Sequence, residues 1–315
     1  MAWVTWQQHR AQLAAMAGLV LLAGVAALVV ALPIWDAYHR LALSSCLPPA
    51  ARPGCDVIVG HFRSDFGSRA NAVRYLALAP ALAGLFVGVP LFTREFEHGT
   101  IRLAWTQGVS RRRWLLAKTG LLALATVAGA AALAGIVMWW RLPLDRVNGR
   151  ISPVAFDVEG LVVPAYAFFA LAIGILAGLL LRRTLAAATA AVAAFVAVRI
   201  GVEWLLRPHY LAPARHTGSV LEQGGTARDW VLDNALVDAV GRTIGSARED
   251  AAVVHAQRAG IDAQQYLASL GWHRVVTYQP DGRFWAFQAV EFGIFVALGV
   301  AAILAALALV RRRPA

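Results

Sequence analysis

Several functional signatures are missing from this sequence. No segment has the form G-x-x-x-x-G-K-[S/T], and Lys118 is the only lysine, so the chain lacks a P-loop that could hold the phosphates of ATP. Residues 207–284 contain no nucleophile elbow, and their histidines do not have a standard zinc-binding spacing. We therefore predict neither a catalytic residue nor a bound metal or cofactor in this chain, and no enzymatic activity of its own.

Hydrophobic residues, by contrast, are abundant. They make up 59% of the 315 residues, and the mean hydropathy is +0.60. A soluble core of this size cannot bury so much apolar material. The formal net charge of +11 would favour nucleic-acid binding in a soluble protein, but here the basic residues cluster at the ends of apolar runs. The composition predicts a membrane protein whose surroundings are lipid, with no nucleic-acid partner.

Six apolar runs are long enough to cross a bilayer, since a spanning helix needs about 20 apolar residues. The first run is too long for the core of a cleaved signal peptide. The pattern predicts an all-α polytopic membrane protein with six transmembrane helices. The runs are Gln12 to Leu32, Val73 to Phe92, Thr119 to Trp140, Leu161 to Leu181, Leu185 to Leu206 and Trp285 to Val310.

Short basic connections remain on the cytosolic side of a membrane. This rule places the Arg182–Arg183 turn, the Arg311–Arg313 tail and residues 93–118 in the cytosol. With six spans, both termini of this multi-pass cell-membrane protein are then cytosolic. The extracytoplasmic segments would be residues 33–72, 141–160 and 207–284.

Two segments outside the spans have patterns of their own. Trp3 and Trp6 share one face of a short helix, which predicts a cytosolic interfacial helix over residues 1–11, with a disordered N-terminus as the alternative. Residues 207–284 are long enough to form a small extracytoplasmic helical domain. One helix would start at Thr226 and carry Leu232, Leu236 and Val240, and another would run from Glu249 to Arg258.

Some polar and small residues allow two interpretations. Cys46 and Cys55 are either a disulfide in an extracytoplasmic loop or two free thiols. Arg199 and Glu203, four residues apart in the fifth span, form an intramembrane ion pair that either acts in transport or neutralises itself at the interface. Snorkelling to the membrane surface explains Glu291 and Arg74. The pairs Gly84–Gly88 and Gly174–Gly178 mark close helix packing within the chain or a dimer contact.

Residues 93–118 concentrate charge between two apolar runs. This connection holds two glutamates, five arginines and the only lysine. Gly99 can end the helix that extends the second span, Thr100 can cap a short amphipathic turn, and Gln107–Gly108 can break that turn before the third span. The result would be a helical hairpin at the membrane surface. The positive-inside rule explains the arginines but does not require the glutamates.

The same segment resembles a known family. REFEHGT at 94–100, WTQ at 105–107 and SRRRW at 110–114 are similar to the permeases of ABC-2 type ATP-binding-cassette transporters, actinobacterial members above all. WQQHR at 6–10, YQP at 278–280 and RFWAFQ at 283–288 extend the resemblance. In that family the connection between the second and third spans is a coupling helix that contacts a separate ATPase.

The resemblance implies a function and several partners. The ATPase-coupling residues would be Glu95, Glu97, Gly99, Thr100, Gln107, Arg111 and Lys118. A cytosolic ABC ATPase subunit would bind the ATP, and a second permease copy would complete a homodimer or heterodimer. Export of a hydrophobic or amphipathic drug, lipid or peptide is expected. The alternatives are an ion-coupled secondary transporter that uses Arg199 and Glu203, and a membrane scaffold or sensor.

Overall fold

The computed structural model describes residues 2–47, 53–97, 111–220 and 225–312. The α-helices, numbered α1 to α11 in chain order, cover Ala2–Arg40, Cys55–Ala72, Ala79–Gly88, Pro90–Glu97, Arg111–Asn148, Pro153–Phe156, Val162–Leu181, Thr184–Gly201, Ser246–Arg258, Ala263–Ser269 and Phe284–Arg312. Three strands, β1 to β3, cover Ala214–Ser219, Trp230–Val237 and His273–Gln279. Short 3-10 turns occur at Leu43–Ser45, Val73–Leu78, Arg207–His209 and Asp281–Arg283.

Within the described residues, six helical segments are long and apolar enough to cross a membrane, which confirms the predicted all-α polytopic fold. We call them span 1 to span 6, and they cover Ala14–Arg40, Tyr75–Arg94, Leu116–Asn148, Val162–Leu181, Thr184–His209 and Asp281–Arg311. The predicted interfacial helix of residues 1–11 is continuous with span 1 in α1. Neither glycine nor proline occurs between Trp3 and Met16 to end a helix there.

Span 4 is the central helix of the bundle. Most of its residues are buried, and it packs against spans 2, 3, 5 and 6. Small residues permit this, because a Cβ added to Gly84 of span 2 would lie 2.5 Å from the carbonyl oxygen of Ala167. Gly174 and Gly178 face span 2 in the same way. The two small-residue patterns thus meet each other within one chain, which favours internal packing over a dimer contact.

Spans 2 and 5 depart from a regular α-helix within their length. Span 2 changes helix at Val89, where α3 ends and Pro90 begins α4. Span 5 contains a π-helical turn over Val202–Leu206. Such turns are rare and occur frequently at functional sites. In span 5 the turn separates the two arginines, Arg199 and Arg207, whose contacts are described below.

Residues 207–284 do not form the helical domain that the sequence predicts. They contain an antiparallel sheet with the strand order β1-β3-β2, together with α9 and α10. The helix expected after Thr226 is strand β2, and Thr226 itself forms a turn with Asp229. The prediction was wrong because the backbone of β2 is hydrogen-bonded to β3, a partner about 40 residues further along the chain. The helix expected at 249–258 is present within α9.

Candidate coupling surface and buried charge cluster

The predicted coupling residues are only partly within the described structure. Gly99, Thr100 and Gln107 lie outside the described residues. Glu95 and Arg111 belong to helices α4 and α5, but their side chains are outside the described part of the chain. Lys118 is buried in span 3, with 7% of its surface exposed. Glu97, at the end of α4, is therefore the residue that links this segment to the bundle.

Glu97 is hydrogen-bonded to the first residue of span 5. One carboxylate oxygen accepts the backbone N–H of Thr184 at 2.8 Å, and the other lies 3.0 Å from the Thr184 hydroxyl. The same hydroxyl is 2.8 Å from that of Thr93, which is fully buried. A carboxylate at the start of α8 is favourable because the free N–H groups and the helix dipole attract negative charge.

The turn between spans 4 and 5 makes a further contact with α4. Arg182 adopts a left-handed backbone conformation with φ of 58°, which ends span 4 and reverses the chain. Its guanidinium lies 5.3 Å from the centre of the Phe96 ring. Together with the Glu97 contacts, this joins the ends of spans 2, 4 and 5. We call Thr93, Phe96, Glu97, Arg182 and Thr184 the coupling joint.

A cluster of charged residues lies at the opposite end of the bundle. Arg199 contacts Asp157 at 2.6 Å, and its predicted partner Glu203 at the longer distance of 3.6 Å. The Arg199 guanidinium also lies 4.4 Å from the centre of the Tyr166 ring. The predicted pair is thus present, but as the less buried edge of a larger cluster that the spacing of two residues on one helix could not indicate.

Arg207 and Glu291 form the centre of this cluster. The two side chains are fully buried, and Nε and Nη2 of Arg207 donate to the two oxygens of Glu291 at 2.8 and 2.7 Å. Arg207 also contacts Asp157 at 2.8 Å, and Tyr166 donates its hydroxyl to Glu291. The prediction that Glu291 snorkels was therefore wrong, because a buried arginine from span 5 reaches it inside the protein. The side chain of Arg74 lies outside the described part.

Tyr210 completes the contacts of Glu291. Its hydroxyl lies 3.0 Å from the second carboxylate oxygen. Burial raises the pKa of Tyr210, and the neighbouring negative charge of Glu291 raises it further, so the phenol stays protonated and donates this hydrogen bond. Glu291 thereby accepts hydrogen bonds from Arg207 and two tyrosines, and Arg199 lies 3.6 Å away as a second ion-pair partner. Spans 4, 5 and 6 are joined here by charged and polar contacts that would be costly to break singly.

An apolar cavity opens among spans 1, 2 and 3. Its volume is about 340 Å³, which is in the range of small-molecule sites. Met16, Leu19 and Ala23 of span 1 form one wall, and Leu76 and Leu133 belong to the others. Hardly any polar surface lines it. A group that occupies it would have to be apolar.

Cys46 and Cys55 are joined by a disulfide, with Cα atoms 5.2 Å apart. It closes the loop between span 1 and α2. In the part of the chain that the structure describes, no group of three or more His, Cys, Asp or Glu side chains could hold a metal ion.

Residues 16–207 match the family model described as "ABC-2 membrane transporter related". The match covers more than half of the chain. The chain belongs to this family. Comparison with curated proteins gives no match. The ABC-2 family match includes spans 1 to 5, the coupling joint and the segment after it, whereas residues 208–315, with the three-stranded sheet and span 6, lie beyond it. Membership supports a permease subunit and, for the family in general, an ATPase partner.

Proposed function

We propose that this chain is the permease subunit of an ABC-2 type exporter in the cell membrane and that a separate cytosolic ATPase drives it. The family match over five of the six spans supports the permease role. The chain itself has no motif for binding ATP phosphates. ATP binding and hydrolysis belong to the partner subunit, and this chain is not an enzyme.

The contact between Glu97 and Thr184 is the observation that carries the proposed mechanism. The ATPase would dock on residues 98–110, which connect α4 to span 3. A displacement of that segment moves α4 directly, and the Glu97–Thr184 hydrogen bonds pass the movement to spans 4 and 5. Packed helices transmit such shifts because they rearrange as rigid elements. Residues of the coupling joint would thus lie between the ATPase and the central helix.

The substrate would be hydrophobic or amphipathic. The apolar cavity among spans 1, 2 and 3 supports this class, because its lining offers almost no polar partner to a charged or hydrogen-bonding group. The basic turns and tail support a cytosolic location for both termini, which sets the orientation of the six spans in the membrane. A second permease copy, identical or related, would complete the translocation unit in the lipid bilayer.

Co-purification tests the proposal. We would isolate the tagged chain from its native membrane with gentle crosslinking and identify the bound proteins by mass spectrometry. The comparison is between the wild type, Glu97→Arg, and Asp250→Arg as a matched charge reversal on exposed helix α9. The thermal stability of each purified chain verifies its folding.

An ATPase recovered with the wild type and Asp250→Arg but lost with folded Glu97→Arg is the expected result. Recovery of the ATPase with all three chains would support the ATPase partner but show that Glu97 is not needed to bind it. If no ATPase is recovered with the crosslinked wild type, the proposal fails. An ion-coupled transporter built on the Arg199 cluster, or a scaffold or sensor, then becomes the better interpretation.

A further inference from the structure

A second buried charged group lies at the end of span 3, separate from the Arg207–Glu291 cluster. Arg141 and Asp145 are on span 3, and Glu159 is in the loop before span 4. All three are buried, with exposed fractions of 4%, 3% and 0%. Nε of Arg141 donates to Glu159 Oε1 at 2.6 Å, and Nη2 donates to Asp145 Oδ1 at 3.0 Å. One guanidinium therefore serves two carboxylates.

Each carboxylate keeps a second oxygen that Arg141 does not reach. Asp145 Oδ2 and Glu159 Oε2 are buried, and neither has a hydrogen-bond donor among the residues that the structure describes. The two side chains lie beside each other, because Nε and Nη2 of Arg141 donate along the same edge of the guanidinium. Two ionised carboxylates have only acceptors and repel each other. Relief of this repulsion requires that one of them is protonated.

The charge balance leads to the same requirement. With both acids ionised, the group carries two negative charges against one positive charge from Arg141. The positive charge of Arg150, in the loop after span 3, also lowers the pKa of Glu159. Its guanidinium, however, lies over the ring of Phe284, 4.6 Å from the ring centre. The remaining arginine of this helix end, Arg146, is directed to the Tyr38 hydroxyl at 3.4 Å. Adding one proton makes the group of Arg141, Asp145 and Glu159 neutral, which avoids burying an unpaired charge.

The backbone around Glu159 leaves little freedom to separate the two acids. Gln288 of span 6 accepts the N–H of Val162 at 3.0 Å and donates to the carbonyl of Phe156 at 3.1 Å. Gly160 has a φ of 69°, and a Cβ there would lie 2.6 Å from Gln288 Oε1. The neutral amide of Gln288 thus fixes the loop without adding charge. Burial raises the pKa of Glu159, in agreement with this geometry.

We propose that Asp145 and Glu159 bind one proton between them and form a carboxylic acid–carboxylate pair against Arg141. The proton comes from a hydronium ion, which becomes water, and its release to water forms hydronium again and leaves two adjacent carboxylates. That repulsion weakens the contact between span 3 and the loop before span 4. The group is therefore a proton-binding site at the end of the bundle opposite the coupling joint. It does not depend on the proposed ATPase partner.

Infrared spectroscopy of the purified full-length chain in lipid nanodiscs tests the proposal at neutral pH. A protonated carboxyl group has a C=O stretch that is distinct from the carboxylate bands and shifts in D2O. We expect such a band in the wild type and its loss or reduction in both Asp145→Asn and Glu159→Gln. The matched control is Asp36→Asn, because Asp36 is an exposed acid in an ion pair with Arg40 and should not contribute. A wild type without the band, or a band that neither variant changes, overturns the proposal.

Thermal unfolding across pH gives an independent test. Glu159 has a raised pKa in the native state, so between the unfolded value of about 4.3 and the native value only the folded chain holds the proton. Stability from this group is therefore full at low pH and falls as the pH rises. Glu159→Gln imitates the protonated acid and should fold, with a smaller decrease in Tm than the wild type as the pH rises above about 5. Equal pH dependence in the wild type and Glu159→Gln would contradict the shared proton.

Discussion

Glu97 and Thr184, 87 positions apart in the sequence, are joined by two hydrogen bonds, one accepted by each oxygen of the Glu97 carboxylate. The backbone N–H of Thr184 at the start of α8 donates the first, and the Thr184 hydroxyl donates the second. The carboxylate therefore holds both the helix end and its first side chain. This links the end of span 2 to span 5 without using the connecting loops.

We expect Thr184→Val to weaken the coupling joint. The variant keeps the backbone N–H bond to Glu97 but loses the hydroxyl contacts with Glu97 and Thr93, each worth about 0.5–1.5 kcal/mol. The control is Thr189→Val on the same helix, whose hydroxyl bonds only to Leu185 O of its own turn. ATPase-driven transport in proteoliposomes should fall in Thr184→Val more than in Thr189→Val. Equal rates would mean that the hydroxyl does not transmit movement.

Glu291→Gln should destabilise the protein severely. Arg207 would remain fully buried without its bidentate carboxylate partner, and breaking a buried ion pair on one side costs about 3–5 kcal/mol. Asp36→Asn provides the same chemical change at an exposed pair with Arg40, where about 0.2–1 kcal/mol is expected. Thermal unfolding in detergent measures both. Similar Tm values for the two variants would show that the cluster around Glu291 is hydrated rather than closed.

Gly84→Ala and Gly135→Ala should change stability in opposite directions. Alanine is about 1 kcal/mol better than glycine within a helix, so Gly135→Ala, where a Cβ meets nothing within 4 Å, should be neutral or stabilising. At Gly84 the new Cβ would collide with the backbone of span 4, 2.5 Å from Ala167 O and 2.8 Å from Leu171 N. Spans 2 and 4 would have to separate. If the two variants have the same thermal stability, spans 2 and 4 are further apart at Gly84 than the structure shows.

The disulfide between Cys46 and Cys55 tests the orientation of the chain. These are the only cysteines, so a membrane-impermeant maleimide added to intact cells should label the wild type only after reduction. A variant with both cysteines replaced by serine should remain unlabelled and lose about 2–3 kcal/mol, the chain-entropy effect of closing a short loop. Labelling without reduction would identify free thiols, and labelling only after permeabilisation would place the loop in the cytosol.

Ala23→Phe should obstruct the apolar cavity. Ala23 lines it, whereas Leu21 on the same helix is 71% exposed and faces away, so Leu21→Phe adds a similar ring without entering the cavity. Photo-crosslinking with a diazirine-bearing fatty acid, followed by peptide mapping of span 1, compares the two. Labelling near Met16 should decrease in Ala23→Phe alone. Unchanged labelling in both variants would show that the probe attaches to the outer surface only.

The spans could be predicted from the sequence because a run of about 20 apolar residues is a local property. The three-stranded sheet within residues 207–284 could not be predicted in this way. Leu232, Leu236 and Val240 have helical spacing, but Leu236 lies in β2 and faces the small core with Trp272, while Val240 is 79% exposed in the following turn. This segment forms a strand rather than a helix because its backbone pairs with β3. Such a contact between distant segments leaves no periodic signal in one sequence.

The buried charge cluster also depends on contacts between distant residues, and the sequence indicated only part of it. Arg199 and Glu203 could be paired from their spacing of four residues on one helix. Arg207 and Glu291 are 84 residues apart, and a π-helical turn alters the helix between Arg199 and Arg207. The i, i+4, i+8 spacing of Arg199, Glu203 and Arg207 is that of one helix face, but it could not indicate the partners Asp157 and Glu291, which lie outside span 5. A usable signal was the number of charged residues within the spans, since isolated charges in lipid are costly.

The chain enters and leaves the three-stranded sheet through a narrow neck between spans 5 and 6. The side-chain nitrogen of Gln279, at the end of β3, donates to the carbonyls of Pro208 at 3.0 Å and Leu211 at 2.8 Å, and Arg283 donates to that of Ala212 at 2.7 Å. The two ends of the insertion are thus already held together, just beyond residue 207 where the family match ends. An insertion of this kind is tolerant to exchange. Residues 213–278 could therefore be exchanged for another segment whose two ends lie equally close together, with the helical frame unaltered.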